Sequence, residues 1–394
     1  TVVSRASDEL WGKRAADAAI EFWINGLLSG PQTHAVNLVG NTGTVVMGVT
    51  ERYMATGFGK ARKFLNDKSG GKIGWDGNSS TWTESNAMMI GMIDGFSQMH
   101  IAFARGLRDG EGVSRDLLAP GAVKTDLGYK PSFTADKLGL DPNSAFGAML
   151  DGFGQYYVRL PGRVLGAEDE VFKTTAYLME SNRYAVSAAL SEGQVPGTPE
   201  YKAMVSNILQ GEDPVHSLPA NDAAVLFAKY QTFTNEISDN ITLGATKLTQ
   251  NPFIKLYVPF VRVVANLMKY GLERSPISPL VNQKWRNEWN AGGATRDLAA
   301  TKLGMGAATS AVVWGAMANT EIDEKGNEIS RPLITGNGPK SRAEQKIWQQ
   351  MGIKPWSVYM QVDDPKGALD ADGNIKQVGK YMPINRLDPV GQII

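Results

Sequence analysis

Few side chains of this 394-residue sequence have the types and spacing that catalysis or metal binding requires. The sequence has no cysteine and only three histidines, His34, His100 and His216. It therefore offers no thiolate ligand, and its histidines are too few and too scattered for a His-ligated metal. His34 lies near Ser29 and Asn37 along the chain, but no Gly-x-Ser-x-Gly elbow or Ser-x-x-Lys motif surrounds it, so a nucleophilic triad is not expected.

Two groups of acidic residues have side chains of the type used in acid/base chemistry or cation binding. Glu168, Asp169 and Glu170 have the right type for proton transfer, but we place them at the start of a helix, whose positive end attracts carboxylates for electrostatic reasons alone. The segment Asp370–Asn374 resembles the start of a calcium loop, yet it lacks the sixth-position glycine and the distal glutamate, so a hairpin turn is favoured. Neither common glycine-rich nucleotide loop is present. The sequence thus predicts no catalytic residue, no metal and no cofactor.

The charge balance limits the classes of partner. Lysine and arginine number 40, and so do aspartate and glutamate, so the formal net charge is zero. A protein that grips nucleic acid through bulk electrostatics is therefore disfavoured. The chain begins without methionine, and we interpret it as a segment of a longer protein.

The periodicity of apolar residues predicts a mainly α-helical protein with an elongated multi-helix architecture and a small α+β C-terminal region that contains hairpins. The first helix, 8–28, is amphipathic, with Lys13, Arg14, Asp17 and Glu21 assigned to its polar positions. A second helix is predicted to start near Pro31 or Thr33, after Ser29-Gly30-Pro31 ends the first, and to run to about Leu65. Further helices are predicted at 83–107, 145–157, 168–190, 199–209, 220–239, 253–272, 294–318 and 341–351. The predicted regions are an N-terminal helical region (1–108), a linker or surface excursion (109–145), a central helical domain (146–320) and the α+β region (321–394).

Three glycines in the charge-free first half of the second helix, Gly40, Gly43 and Gly48, weaken its helix propensity. Close approach of another helix over these small residues would offset that loss. A methionine-rich stripe in the third helix, which includes Met88, Met89 and Met99, is interpreted first as core and second as an adaptable interface.

The run Leu303–Thr320 has 18 residues and no charge. We favour a tightly packed core helix, with a membrane span as the alternative, because the run is short and diluted by small and polar residues. Its small residues recur every fourth position and are candidate oligomer or membrane contacts: Gly304, Ala308, Val312 and Ala316. Upstream, Arg262, Lys269 and Arg274 are interspersed in the apolar segment Phe253–Pro279, a pattern compatible with a membrane surface or a subunit contact and more typical of ordinary amphipathic packing.

Five stretches resemble recurrent segments of one family, the internal virion or DNA-ejection proteins of short-tailed bacteriophages and their large polyvalent relatives. The stretches, which span most of the chain in the order seen in that family, are Leu27–Asn41, Leu160–Tyr184, Tyr257–Pro279, Ile334–Ser357 and Lys380–Gly391. One departure is visible at Val263 and Val264, where relatives tend to have Thr-Pro, and this changes the helix kink expected there.

The resemblance implies a protein without an assigned reaction that is stored inside the capsid and expelled ahead of the genome. It would then assemble in the host periplasm or cell envelope as a homo-oligomeric DNA channel. The implied partners are further copies, other ejection proteins, portal and tail proteins, double-stranded DNA that passes without sequence specificity, and possible contact with the host envelope membrane. Two alternatives stay open: a non-catalytic piece of a giant virion enzyme, such as a lytic transglycosylase or virion RNA polymerase, and a module that inserts residues 303–320 into a membrane.

Overall fold

The structure is a computed structural model that describes residues 2–72, 77–109, 131–235, 261–322, 328–364, 366–369, 373–375 and 377–383. These residues are mainly helical, as predicted. The helices are α1 (Val2–Leu28), α2 (Pro31–Lys68), α3 (Trp82–Ser97), α4 (Met99–Asp109), α5 (Ala145–Phe153), a π-helical turn (Gly154–Val158), α6 (Leu160–Ser191), α7 (Pro199–Gln210), α8 (Ser217–Gln231), α9 (Val261–Arg274), α10 (Ser278–Val281), α11 (Gln283–Ala291), α12 (Gly293–Met317) and α13 (Arg342–Gln350). The strands are β1 (Thr320–Ile322), β2 (Glu328–Ser330), β3 (Ser357–Asp363) and β4 (Gln377–Pro383).

Local sequence signals account for several helix starts. Helix α2 begins at Pro31, directly after Gly30, because proline has no N–H to lose in the first turn. Helix α3 begins with a capping box: the Thr81 N–H donates to Glu84 Oε2 at 2.6 Å, and the Glu84 N–H donates to Thr81 Oγ1 at 3.2 Å. These bonds give partners to the backbone N–H groups of Thr81 and Glu84, which would otherwise lack one at the start of the helix.

The chain divides into two compact units, of which the first comprises residues 1–273 and 282–301. Helix α6 is its central element and packs against α3, α4, α7 and α8, with less extensive contacts to α1 and α2. The largest cluster of buried apolar side chains joins α2, α3 and α6 and consists of Val45, Val49, Met88, Phe172 and Met179. Helices from before residue 109 and after residue 145 therefore share one core.

Glycines on α3 and α4 let these helices approach the backbone of α6. A Cβ atom added to Gly95 would lie 2.5 Å from the Thr175 Cα, and one added to Gly91 would lie 2.7 Å from the Met179 Cα. Added to Gly106 on α4, it would lie 2.8 Å from the Ala167 Cα. Real Cβ atoms do not come this close, so the helix spacing depends on glycine at these positions.

The single helix predicted over 83–107 is two helices, because the chain breaks its helical path at Gln98, which has φ −95° and ψ 5°. The methionine stripe is also divided. Met88 is buried in the core cluster, whereas Met89, Ile93 and Met99 are exposed. Only part of the stripe is therefore core, as α6 covers one side of α3 alone.

The segment predicted as a linker is described from residue 131 onward, and residues 110–130 lie outside the description. Its described part forms turns rather than a free excursion, since Ala135 is fully buried and its N–H donates to Asp151 Oδ1 at 2.7 Å. The helix predicted over 145–157 ends at Phe153 and continues as the π-helical turn.

The second unit comprises residues 274–281 and 302–394 and contains both predicted hairpins. Strands β1 and β2 pair antiparallel from Thr320↔Ser330 to Ile322↔Glu328. Strands β3 and β4 pair antiparallel from Ser357↔Pro383 to Asp363↔Gln377. The hairpin expected at 370–374 is supported by the Leu369↔Ile375 bridge, although residues 370–372 lie outside the description.

An aromatic pair holds the β3–β4 hairpin against the preceding segment. Tyr359 and Tyr381 are directly paired across the strands, with ring centroids 5.2 Å apart. The Tyr381 hydroxyl donates to the Pro332 carbonyl at 2.9 Å, and Arg331 Nη1 donates to the Tyr359 hydroxyl at 3.1 Å. A cross-strand aromatic pair of this kind stabilises a two-stranded ribbon that would be marginal alone.

Candidate assembly surface

The second half of α12 is a charge-free helix that lies largely in solvent. From Leu303 to Met317 it has no charged residue, and Val312 and Trp314 are 70% and 76% exposed. Full burial of side chains of this size contributes about 1.5–3 kcal/mol each. An apolar helical surface of this kind is suited to contact with another molecule.

The preference for a tightly packed core helix over 303–320 is therefore wrong for most of this segment. Among the described residues, none of α12 after Lys302 is buried, and most are exposed, although Gly306 packs against the Arg274 carbonyl. The sequence cannot reveal this, because charge-free composition is common to core helices and to helices covered by partners. Among the described helices, none is long and apolar enough to cross a membrane.

The four small-residue positions lie where an interface would need them, with one exception. Gly304, Ala308 and Val312 are exposed, and a Cβ added to Gly304 would meet no described atom within 4 Å. Ala316 is half-buried, and its carbonyl accepts the Leu333 N–H at 2.7 Å. The exposed stretch available for close helix approach thus runs from Gly304 to Val312.

Of the three basic residues singled out upstream, one is buried and one is half-buried. Arg274 is 4% exposed, and its carbonyl lies against Gly306, where no side chain would fit. Lys269 is half-buried, and the side chain of Arg262 lies outside the described part of the structure. A buried guanidinium cannot contact lipid or a neighbouring subunit, so Arg274 is not carried forward as a surface residue.

The acidic trio lies in the body of a helix and not at its start, which corrects the dipole interpretation. Helix α6 begins at Leu160, two turns before Glu168. Glu168 Oε1 lies 2.9 Å from His34 Nδ1, and Asn37 Nδ2 donates to Glu168 Oε2 at 3.2 Å. Asp169 pairs with Lys173 at 2.6 Å, along the same helix. Glu168 therefore joins α6 to α2, and Asp169 neutralises the buried Lys173.

Glu21 is buried, contrary to the prediction from the sequence. The amphipathic pattern assigned it to the polar side of α1, yet it is fully buried. Its Oε2 accepts the N–H groups of Ser132 and Phe133 at 2.5 and 2.6 Å, and its Oε1 lies 3.1 Å from Arg159 Nε. The partners come from sequence positions more than 100 residues away, so no local pattern could have identified them.

A second buried ion pair joins α2 to the first turns of α12. Arg62 Nε donates to Asp297 Oδ1 at 2.7 Å and Arg62 Nη2 donates to Asp297 Oδ2 at 3.1 Å, a bidentate geometry. Both side chains are 1% exposed. Gly59 makes room for the carboxylate, which a Cβ at that position would overlap, and Arg62 Nη2 also donates to the Gly77 carbonyl at 3.2 Å.

Charged side chains also meet where α2, α3 and α6 come together. Arg183 is held by Glu180 through two hydrogen bonds of 2.9 and 2.6 Å, and Glu84 lies 3.7 Å away. Burial is the main cause that lowers the pKa of Arg52 to about 10, and the neighbouring Arg183 guanidinium lowers it further. Arg52 remains charged at neutral pH, so the cluster is a set of opposite charges and not a proton-transfer site.

These polar clusters have the features of structural elements. The buried acids Glu21, Glu180 and Asp297 are each matched by a base or by backbone N–H groups, as stable burial requires. Within the described residues, no group of three or more His, Asp or Glu side chains could hold a metal ion. His216 Nδ1 lies 3.2 Å from Asp213 Oδ1, and His100 is exposed.

Comparison of the chain with protein-family models, with curated proteins and with solved structures finds no match in any of the three.

Proposed function

We propose that this chain is a structural segment of a bacteriophage DNA-ejection apparatus. On this proposal it is stored in the virion and assembles in the host periplasm or cell envelope as a homo-oligomer that lines or supports a channel for the genome. Its other partners are further ejection proteins, portal and tail proteins, and double-stranded DNA that passes without sequence specificity. We assign no reaction to it.

The observation that carries the assembly part of the proposal is the exposed, charge-free half of α12. A helix with small residues at Gly304 and Ala308 lets a second helix backbone approach closely, and the exposed Val312 and Trp314 supply apolar area. The phage part rests on the resemblance in five stretches. Two of them contact each other in the structure, because His34 and Asn37 of the first stretch bind Glu168 of the second.

The charge balance also supports a conduit. Each lysine or arginine that contacts a phosphate releases counterions and strengthens DNA binding, which would slow a passing genome. A chain with 40 basic and 40 acidic residues provides no overall surplus for such a grip.

Replacement of Gly304 and Ala308 by leucine is expected to weaken self-association. Two added side chains would hold the helix backbones apart, and overpacking of 1–3 kcal/mol corresponds to a rise of about 10- to 100-fold in the dissociation constant. Light scattering of the purified chain over a range of concentrations measures the mass.

The matched control is Gly12→Leu with Ala16→Leu, an exposed Gly/Ala pair with the same four-residue spacing on α1. The control should leave the mass of the assembly unchanged. Equal masses for the parent chain and the α12 variant would remove this surface as the interface.

Duplex DNA is expected to bind the assembled protein only weakly. The dissociation constant should fall in the range of non-specific binding or above it, about 10⁻⁴ to 10⁻⁶ M at physiological salt. A titration at several salt concentrations measures both the affinity and the number of phosphate contacts. Submicromolar affinity with a steep salt dependence would mean that the protein grips DNA, and the conduit role would have to be given up.

A further inference from the structure

The outward side of α2 is a second apolar surface that the described structure leaves uncovered. We call it the α2 stripe. Its residues are exposed and follow one another in steps of three and four: Ala35, Val39, Gly43, Val46, Thr50, Met54, Phe58, Ala61 and Leu65. At 1.5 Å per residue the stripe is about 45 Å long.

The α2 stripe has no exposed charge over most of its length. Between residues 35 and 59 the only charged residues of α2 are Glu51, which is buried, and Arg52, which is half-buried. The opposite side of the helix is covered by the chain itself. Val45 and Val49 lie in the core there, and a Cβ added to Gly48 would overlap the side chain of Gln231.

We infer that the α2 stripe is a contact between two copies of this chain, paired antiparallel about a two-fold axis at Thr50. The inference rests on the homo-oligomer of the proposed function and assigns one contact between its copies. A lipid surface fits less well, because helices that lie in a bilayer interface carry basic residues beside their apolar face. Here the exposed basic residues, Lys60, Lys63 and Lys68, are confined to one end of the helix, and the exposed residues from 35 to 59 include no lysine or arginine.

The sequence of the α2 stripe is self-complementary in that arrangement. A two-fold axis at Thr50 brings each residue i opposite residue 100 − i of the other copy, as an isologous contact requires. The facing pairs along the stripe are Val46 with Met54, Val39 with Ala61 and Ala35 with Leu65, and at its edges Gly43 faces Gly57 and Phe58 faces Thr42. Apolar side chains therefore face each other on both sides of the axis, and no charged residue enters these pairs.

Charge at the end of α2 selects the antiparallel over the parallel direction. Lys60, Lys63 and Lys68 are exposed near the C-terminus of the helix. Parallel pairing would place the two sets side by side, whereas antiparallel pairing puts them at opposite ends, about 30 Å or more apart. The half-exposed Trp82 lies 3.7 Å from a Cβ added to Gly57, about 10 Å along the helix from the axis, and supplies an aromatic anchor.

The size of the α2 stripe limits its affinity. A strip about 45 Å long and about 10 Å wide covers roughly 450 Å² on each partner, against about 800 Å² for a standard stable interface. The dimer should therefore dissociate on dilution, with a dissociation constant on the order of micromolar or weaker.

Single-cysteine variants test the geometry, since the chain has no cysteine of its own. Thr50→Cys places two thiols at the axis, and a short bismaleimide should then give a covalent dimer. Ala35→Cys is the matched control: its two copies lie about 45 Å apart in the antiparallel pair and should not cross-link. Cross-linking of both variants would overturn the antiparallel arrangement. The protein concentration is raised in 100-fold steps to about millimolar, well above the expected dissociation constant. If neither variant cross-links there, the contact itself is overturned.

A charge substitution tests the energetics. Val46→Glu places two carboxylates in the interface and should raise the dissociation constant at least about 100-fold, as seen by sedimentation. Leu209→Glu, at an exposed position on α7, should leave it unchanged, and circular dichroism of both variants should match the parent chain. Flotation of a monomeric chain with phosphatidylcholine vesicles, lost in Val46→Glu, would instead assign the stripe to lipid.

The outcome for α2 can be separated from the outcome for the proposed function. If Thr50→Cys cross-links while the Gly304→Leu and Ala308→Leu pair leaves the mass of the assembly unchanged, the α2 contact stands and the α12 surface fails. If the chain forms oligomers that Val46→Glu does not weaken, the α2 contact fails and the homo-oligomer stands.

Discussion

Replacement of Asp297 by alanine is expected to lower the free energy of unfolding by about 3–5 kcal/mol. The change removes the carboxylate that holds Arg62 in bidentate geometry, so a guanidinium that is 1% exposed loses this charged partner. Urea titration monitored by circular dichroism measures the loss.

Two further variants separate the charge from the packing. The double variant Arg62→Met with Asp297→Leu removes both charges and should lose much less stability than Asp297→Ala, because apolar side chains of similar volume replace a buried ion pair well. Asp94→Ala, at an exposed position on α3, should change stability by no more than about 0.5 kcal/mol. A loss below about 1 kcal/mol for Asp297→Ala would show that the pair contributes little.

Gly95→Ala should destabilise the first unit by about 2–3 kcal/mol, although alanine is the better helix former. The added Cβ would lie 2.5 Å from the Thr175 Cα, a backbone atom that cannot rotate away, so α3 and α6 would have to separate. The separation would loosen the core cluster around Met88 and Phe172.

The same substitution at a glycine with open space around it is expected to raise stability instead of lowering it. Gly12 on α1 has no described atom within 4 Å of an added Cβ, and Gly12→Ala should raise stability by up to about 1 kcal/mol. Thermal and urea denaturation of the two variants, measured side by side, compare them directly. A gain in stability for Gly95→Ala would contradict the close packing of α3 on α6.

Local signals predicted much of the fold. The Ser29-Gly30-Pro31 sequence placed the boundary of α1 and α2, and Pro199 placed the start of α7. The start of α6 was missed by eight residues, although Pro161 in its first turn was an available signal. The break at Gln98 had no such signal, because neither glycine nor proline marks it.

The interior polar residues could not be predicted in this way. Glu21 and Asp297 are bound by partners 138 and 235 residues away, and a hydrophobic pattern assigns any charged residue to the surface. The position of the small residues on one side of α12 was predictable from their spacing. Their exposure was not, because it depends on which other parts of the chain cover the helix.

The ion pair of Arg62 and Asp297 also has a consequence for the order in which the first unit folds. Its two residues are 235 positions apart, and residues 282–301 belong to the same compact unit as α1 to α9 up to Glu273. Closing so long a loop is slow, because the chain loses conformational entropy before the distant contact forms and stabilises it. During synthesis, Arg62 must therefore wait for a further 235 residues to emerge before the Asp297 carboxylate can bind it. Until then the nascent unit lacks this buried ion pair, and ribosome-bound chains ending before Asp297 should remain sensitive to protease.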